Sequence, residues 1–130
     1  KNACSTSCVQ IDLMGQAASE TIGYTQISGV GGQVDFVRGA AMAKNGRSIL
    51  AFPSTAAKGT VSKIVPLLDE GAAVTTSRND VDYVITEYGI AKLSGKTLKQ
   101  RAHALIEIAH PNFRDELKKV YEERFHCSYE

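Results

Sequence analysis

Apolar and polar positions along the first two thirds of the chain predict mostly short strands. Residues 5–15 (STSCVQIDLMG) alternate in part and end in glycine, which is typical of a strand. Most of the later strand candidates are apolar runs that stop at a proline, a glycine or a polar segment. A short strand that gives way to a glycine loop is predicted in residues 24–32, and further strands are predicted in residues 48–53, 61–68, 72–76 and 82–89.

One helix is predicted between the strands, in residues 34–44 (VDFVRGAAMAK). Asp35 is placed to cap its first turn, and Asn45-Gly46 is placed to end it. The apolar face of this helix is predicted to consist of Phe36, Val37, Ala40 and Ala41.

The last third changes to helical spacing. Residues 97–110 begin with Thr97 and Gln100, a T-x-x-Q capping box, and continue with Leu98, Ala102, Leu105, Ile106 and Ala109 on one face. His110-Pro111 is predicted to end this helix, and Asn112 to cap a second one. The apolar face of the second helix is predicted to be Phe113, Leu117, Val120 and Tyr121.

Strands with an interposed helix, followed by two carboxyl-terminal helices, predict an α/β fold with an open mixed sheet and flanking helices. A length of 130 residues fits one domain, residues 1–130. The chain begins at a lysine, so it is either a processed protein or a piece of a longer one.

Composition narrows the range of functions. The net charge of +1 gives no argument for nucleic acid or an anionic membrane, and no apolar run is long enough to span a bilayer. No signal peptide is recognised. Cys4, Cys8 and Cys127 lack the spacing of a metal site, so reduced cysteines in a cytoplasmic protein are expected, with no metal.

The glycine-rich stretch SGVGGQVDFVRGAA (residues 28–41) is the strongest candidate for chemistry. Gly29, Gly31 and Gly32 lie between a predicted strand and a predicted helix, where backbone N–H groups and the helix dipole favour negative charge. The stretch is not a Walker A motif, because no G-K-[ST] closes it, and it is not GxGxxG, because the last glycine of that pattern would fall at Val34. From the residues alone, anion binding and a purely structural turn both remain open.

Other polar loops follow apolar strands and offer donors to phosphate or carboxylate groups. In open α/β sheets such loops meet at one edge and bind ligands there. The donors are Ser54, Thr55, Lys58 and Arg78. A solvated surface charge is the alternative interpretation of Lys58 and Arg78.

Several long segments, in this order, resemble the carboxyl-terminal domain of the acetyl-CoA hydrolase/transferase family, in its 4-hydroxybutyrate and butyryl-CoA:acetate branch. The segments are GQAASETIG, SGVGGQVDFVRGA, AFPSTAAKGTVSKIVP and the run from TTSRND to FRDEL, and the likeness extends from about Val9 to Leu117.

This resemblance implies a CoA-transferase in which a glutamate outside this chain forms an acyl anhydride and then a glutamyl-CoA thioester. Gly31 and Gly32 would donate to the oxyanion. CoA is expected as a substrate rather than as a tightly bound cofactor. Gly29, Val30 and Gln33 in the same motif are expected to contact CoA or substrate, as are Ser54, Thr55, Lys58 and Arg78 in the polar loops.

The expected partners are acyl-CoA, short-chain carboxylates, the amino-terminal half of the same chain and further copies of it. Glu87 and Glu20 are weighed as nucleophiles and disfavoured, because the family's glutamate lies upstream of the matched part. This chain alone is therefore expected to be inactive. A thioester hydrolase, a non-catalytic CoA-binding module and a plain interaction domain are the alternatives.

Overall fold

The computed structural model describes residues 3–6, 8–22, 24–29 and 31–130, with the side chains of residues 3–6, 22 and 41 left out of the description. The predictions for Val30 and for the side chains of Cys4 and Ala41 lie outside the described residues. In chain order the strands and helices are β1 (Ala3–Thr6), β2 (Gln10–Asp12), β3 (Ala17–Ala18), β4 (Thr21–Ile22), β5 (Thr25–Gln26), α1 (Gln33–Met42), β6 (Arg47–Ala51), β7 (Thr55–Ala56), β8 (Val61–Ser62), β9 (Ile64–Val65), β10 (Tyr83–Thr86), β11 (Gly89–Lys92), α2 (Leu98–Glu107) and α3 (Pro111–Phe125).

The main sheet has four strands in the order β1-β6-β10-β11. The first three strands run parallel, and β11 returns antiparallel to β10. Leu50 of β6 lies opposite Val84 of β10, and both are buried. An open mixed sheet with flanking helices and two carboxyl-terminal helices is therefore confirmed.

The described residues also form three smaller sheets. β2 lies between β3 and β9, while β4–β5 and β7–β8 form separate two-stranded hairpins. The single strand predicted in residues 5–15 is wrong, because β1 pairs with β6 and β2 pairs with β3 and β9. Alternation of side chains indicates an extended backbone, but it does not say where one sheet ends and another begins.

Three further strand predictions need correction. Residues 61–68 form two short strands, with β8 paired to β7 and β9 paired to β2. Residues 72–76 form no strand; Thr76 makes one isolated bridge with Ala17. The structure also contains β3, β4, β7 and β11, which were not predicted; β7 lies in residues predicted to be a polar loop, and β11 returns along β10 after a tight turn.

Helix α1 begins one residue earlier than predicted and has a different cap. Gly32 occupies the N-cap position without a side-chain hydrogen bond, and Asp35 lies in the first turn, where its charge suits the helix dipole. Val37 and Ala40 are buried as expected, but Phe36 is 64% exposed. The predicted apolar face is thus wrong at Phe36.

The two final helices match their predicted ranges closely. The capping box of Thr97 and Gln100 is present at the start of α2, with both reciprocal hydrogen bonds. Helix α3 is capped by His110, whose Nδ1 accepts the Asn112 N–H at 3.1 Å, so the prediction of Asn112 as the cap is wrong. Pro111 occupies the first turn, where its missing N–H is not needed.

The core joins the sheet to the carboxyl-terminal helices. Helix α2 packs against β11 and α3, whereas α1 packs against β1 and β6. Within the described residues, no helix is long and apolar enough to cross a membrane. The largest fully buried side chains include Ile11, Leu13, Leu50, Ile64, Leu93, Leu105 and Ile106.

Candidate functional site

Helix α1 brings the glycine-rich loop to the carboxyl-terminal edge of the parallel strands. The helix packs on β6 and is followed directly by that strand after the turn at Asn45 and Gly46. It therefore runs back along β6, and its ten residues span about 15 Å, nearly the length of the five-residue strand. The loop before α1 consequently lies toward the end where β6 leads into Ser54.

The backbone of the loop requires glycine at one position and leaves open space there. Gly31 has φ +60°, and a Cβ built on it would meet no atom within 4 Å. Gly32 is the N-cap of α1, and a Cβ there would lie 3.1 Å from the Phe36 ring. Gly29 is exposed, with free space around it. N–H groups of a first helical turn lack intrahelical acceptors, so this loop suits an anion.

Gln33 anchors the loop to the rest of the domain. Its Oε1 accepts hydrogen bonds from Thr76 Oγ1 at 2.6 Å and from Ser19 Oγ at 3.1 Å. These two hydroxyls lie 43 and 14 residues away along the chain. The amide oxygen is thus engaged with protein groups, and a direct contact of Gln33 with substrate stays a prediction. Ser19 and Thr76 were missed by the sequence reasoning, although the hydroxyl run Thr75-Thr76-Ser77 was a signal.

Ser54 and Glu87 meet where β6 and β10 end. The buried Ser54 donates its backbone N–H to Glu87 Oε1 at 2.7 Å. The Ser54 Oγ atom makes no hydrogen bond with good geometry among the described residues. It lies close enough to the Glu87 carboxylate to favour the ionised form of that group. Desolvation opposes ionisation of Glu87, but the Ser54 N–H and the charge of His110 outweigh it and hold the pKa of Glu87 below its ordinary value.

Glu87 also lies beside an aromatic cluster. The Tyr88 ring makes an edge-to-face contact with His110 at 5.6 Å, and the Arg114 guanidinium lies 5.3 Å from the same ring centre. Thr86 Oγ1 donates to the Ile108 carbonyl at 2.6 Å and accepts the Tyr88 N–H at 3.1 Å. These contacts tie the turn after β10 to the connection between α2 and α3 and so fix the position of the Glu87 backbone.

Lys58 stands at the exposed tip of the β7–β8 hairpin. Ala57, Lys58 and Gly59 all have positive φ, at 50°, 57° and 87°. Such a conformation costs about 1–2 kcal/mol for each residue with a side chain. Thr55 pairs with Ser62 at the base of the hairpin and is half-buried. The hairpin therefore presents a cation just beyond Ser54.

The described contacts of Arg78 involve neither the glycine loop nor the β7–β8 hairpin. Its guanidinium lies 3.7 Å from Met14 Sδ, and its carbonyl accepts from Arg101. Burial, and then the charge of Arg78, lower the pKa of Arg101. No described contact connects Arg78 to the Ser54–Glu87 pair.

Glu20 serves a structural purpose at the other side of the loop. It is buried, and its two carboxylate oxygens accept from Thr75 Oγ1 at 3.2 Å and from Gln26 Nε2 at 2.8 Å. Its carbonyl also accepts the N–H groups of Ile27 and Ser28. Glu20 thereby holds the β4–β5 hairpin, which leads into the glycine loop.

The described cysteines offer no metal centre. Burial raises the pKa of the Cys8 thiol to about 12 despite the nearby Lys63, and both Cys8 and Cys127 are unpaired. Among the residues that the structure describes, no group of three or more His, Cys, Asp or Glu side chains could hold a metal ion.

Comparison with known proteins assigns the family. Residues 2–121 match the model of the acetyl-CoA hydrolase/transferase C-terminal domain. The chain belongs to this family. The 4-hydroxybutyrate coenzyme A transferase of Clostridium kluyveri is 68% identical over 119 residues, which are 92% of this chain and 28% of that protein.

Solved structures of other family members agree with the fold. RipA from Yersinia pestis is 49% identical with a TM-score of 0.86, and the match covers 95% of this chain and 28% of RipA. A 4-hydroxybutyrate CoA-transferase from Porphyromonas gingivalis is 52% identical with a TM-score of 0.77, over 95% of this chain and 27% of that one. The chain thus spans less than a third of the length of these family members.

Proposed function

We propose that this chain is the carboxyl-terminal domain of a CoA-transferase that moves CoA between an acyl-CoA and a free carboxylate such as acetate. The acyl group would be 4-hydroxybutyryl, butyryl or acetyl. The observation that carries the proposal is family membership combined with 68% identity to a protein named 4-hydroxybutyrate coenzyme A transferase. CoA is a substrate here, and the proposal includes neither a metal nor a tightly bound cofactor.

In the proposed reaction, a glutamate carboxylate from outside this chain attacks the thioester carbonyl carbon. The C–S bond breaks, CoA leaves as thiolate, and an acyl-glutamyl anhydride remains. The thiolate then attacks the glutamyl carbonyl, which releases the acyl group as a carboxylate and leaves a glutamyl-CoA thioester. An acceptor carboxylate reverses both steps. Each addition places negative charge on a carbonyl oxygen, which needs hydrogen-bond donors.

This chain would supply those donors from the backbone at Gly31 and Gly32. Three features support the assignment: the left-handed conformation of Gly31, the open space beside it, and the positive end of the α1 dipole. Gln33, held by Ser19 and Thr76, would keep the loop in place. Gly29 and Val30 would complete the same loop around the thioester.

The β7–β8 hairpin would hold another part of CoA. Lys58 is an exposed cation at its tip, and Ser54 and Thr55 lie at its base. A lysine of this kind suits a phosphate group. Arg78 belongs to the same proposal only as a donor in a polar loop, as predicted from the sequence pattern. Glu87 and Glu20 would support the neighbouring backbone, in keeping with their hydrogen bonds to Ser54 and to Thr75 and Gln26.

Hydrolysis is the second candidate, because the family description names hydrolases beside transferases. It requires water to take the place of the acceptor carboxylate. The name of the 68% identical relative favours transfer. A non-catalytic CoA-binding module would bind CoA and complete neither reaction.

The protein is further proposed to act in the cytoplasm as a homo-oligomer. Its other partner would be the amino-terminal half of the same protein. The unpaired thiols of Cys8 and Cys127 support a reducing compartment.

The test follows isotope from labelled acetate into acetyl-CoA, using the intact protein and butyryl-CoA. Transfer predicts labelled acetyl-CoA, whereas hydrolysis predicts free CoA without label in the thioester. G31A places a methyl group in the open space and strains a left-handed position, so exchange should fall at least about tenfold. G39A is the matched control, since Gly39 lies in the middle of α1 with no atom within 4 Å of an added Cβ. Equal exchange by G31A and G39A would contradict the oxyanion role.

A further inference from the structure

A cationic cavity lies at the opposite edge of the main sheet from the glycine loop. It measures about 480 Å³ and lies between the end of β11 and the first turn of α2. Lys92 pairs with Tyr83 at the beginning of β10, whereas Ser54 and Glu87 meet beyond the end of β10. The cavity is lined by Lys92, Lys96, Thr97, Lys99, Gln100, His103, Ala104 and Tyr121.

Positive charge is concentrated in this cavity without a lining carboxylate. Three of its residues are lysines, in a chain whose net charge is only +1. Within the described part of the chain, the only ion pair within 4.0 Å joins Arg38 to Asp80, which lies outside the cavity. Three lysines around one cavity give it a positive electrostatic potential, which favours the binding of an anion.

The neighbouring groups engage the lysines to different degrees. Lys92 Nζ lies 5.7 Å from the Tyr83 ring centre, a contact that does not neutralise its charge. Lys99 interacts with the Cys127 thiol, and that contact, with the charges of Tyr121 and Glu130, raises the pKa of Lys99. His103 is occupied instead by the tail, because its ring stacks on Tyr129 at 4.6 Å and its Nε2 contacts the Glu130 carbonyl.

The beginning of α2 adds a second contribution to the same cavity. The capping box already uses the Gln100 N–H, which donates to Thr97 Oγ1 at 3.2 Å. The N–H groups of Leu98 and Lys99 lie in the first turn of α2 and have no acceptor within the helix. The helix dipole is positive at this end. Tyr121 also lines the cavity but is only 3% exposed, because its ring packs against Phe125 and Tyr129. A volume of this size is typical of sites for small organic ligands.

We propose that this cavity binds a compound with two linked phosphate groups, at a site separate from the glycine loop. Lys96 and Lys99 would contact the phosphates, with Lys92 behind them. The source is either inorganic pyrophosphate or a nucleoside diphosphate, because both present the same diphosphate. A preference for the nucleotide would mean that the cavity also contacts the nucleoside.

Calorimetric titration of the intact protein with pyrophosphate and with ADP tests this site. The expected result is saturable binding of at least one of them, with one site per chain. The double variant K96Q/K99Q should weaken that binding at least about tenfold, because two charges next to the anion are lost. The control K44Q/K119Q removes the same charge from exposed positions outside the cavity and should leave affinity within about twofold.

Three results would overturn the proposal. They are no saturable binding at millimolar concentrations, an equal loss in both double variants, and a loss of CoA affinity alone in K96Q/K99Q. The last would make the cavity part of the CoA site. Thermal unfolding without anion checks that K96Q/K99Q is folded; a small loss of stability is expected, because the substitution removes the contact of Lys99 with the Cys127 thiol. The single variants K96Q and K99Q should show intermediate losses.

Discussion

The glycine-loop region and the α2–α3 pair are stabilised by different kinds of contact. Around the loop, strands of two or three residues are held by side-chain hydrogen bonds such as those of Gln33 and Glu20. The α2–α3 pair is held chiefly by buried side chains such as Leu105 and Ile106, with side-chain hydrogen bonds at the caps of the two helices. Hydrogen bonds position backbone groups precisely in space but add little net stability, whereas apolar burial does the reverse.

This difference suggests that the glycine-loop region contributes mainly to activity and the α2–α3 pair mainly to stability. Outside glycine, positive φ values occur at Ala57 and Lys58 in the hairpin, at Asn45 after α1 and at His126 after α3, and Gly31 has one in the glycine loop. A strained backbone conformation persists only where the surrounding structure holds it in place, and such positions often lie in functional segments. Substitutions around the loop should therefore change activity more than stability, and substitutions in the helix pair should do the opposite.

The largest effect is expected from L105A. Leu105 is fully buried in α2, and truncation to alanine leaves a cavity that lowers the free energy of unfolding by about 2–5 kcal/mol. Urea denaturation followed by circular dichroism measures this loss. Exchange activity at low temperature, where the variant stays folded, should be nearly unchanged. A selective loss of turnover would remove the distinction between the two regions.

Q33L should show the opposite pattern. Leucine cannot accept the hydrogen bonds of Ser19 and Thr76, so the loop loses its anchor and the fully buried Thr76 loses a partner. Leaving a buried hydroxyl unpaired costs about 1–3 kcal/mol. We expect the fall in exchange rate to exceed what the measured loss of stability explains. Retained turnover with lowered stability would mean that Gln33 has only a structural role. Q33E keeps an acceptor oxygen and provides the comparison.

T97A should lower stability alone. It removes the Thr97 hydroxyl that accepts the Gln100 N–H, and loss of an N-cap costs about 1 kcal/mol. The change should appear in the urea midpoint, while exchange by the folded protein stays the same. S94A is a suitable control, because Ser94 is an exposed hydroxyl in the preceding turn. An equal effect of S94A would indicate that the capping box is unimportant.

The smallest effect concerns pH and Glu87. Its pKa is lower in the folded protein than in the unfolded chain, so its charge stabilises the fold above the unfolded pKa. That contribution should disappear as the pH falls below about 4 and Glu87 becomes protonated. The stability difference between the unsubstituted protein and E87Q should therefore shrink from pH 7 to pH 3. It should be small throughout, because Glu87 is exposed. A difference that grows at low pH would contradict the role of the Ser54 hydrogen bond.

Sequence patterns predicted the helix pair much better than the strands. The capping box depends on residues three positions apart, and Pro111 acts on its own backbone, so both signals are complete within a few residues. β11 was missed because its sequence, GIAK, has only four residues and mixes apolar and polar side chains. Its pairing with β10 depends on a turn rather than on apolar periodicity.

The sequence by itself therefore determined the α/β class, the carboxyl-terminal helices, the glycine-rich start of α1 and the family resemblance. Tertiary structure decided that β1 pairs with β6, that Gln33 contacts Thr76 and that Ser54 donates to Glu87. It also decided that Phe36 is exposed and that Arg78 contacts Met14. The reason is physical: helix caps and glycine conformations are local, whereas these partners are tens of residues apart and meet only when the whole chain packs.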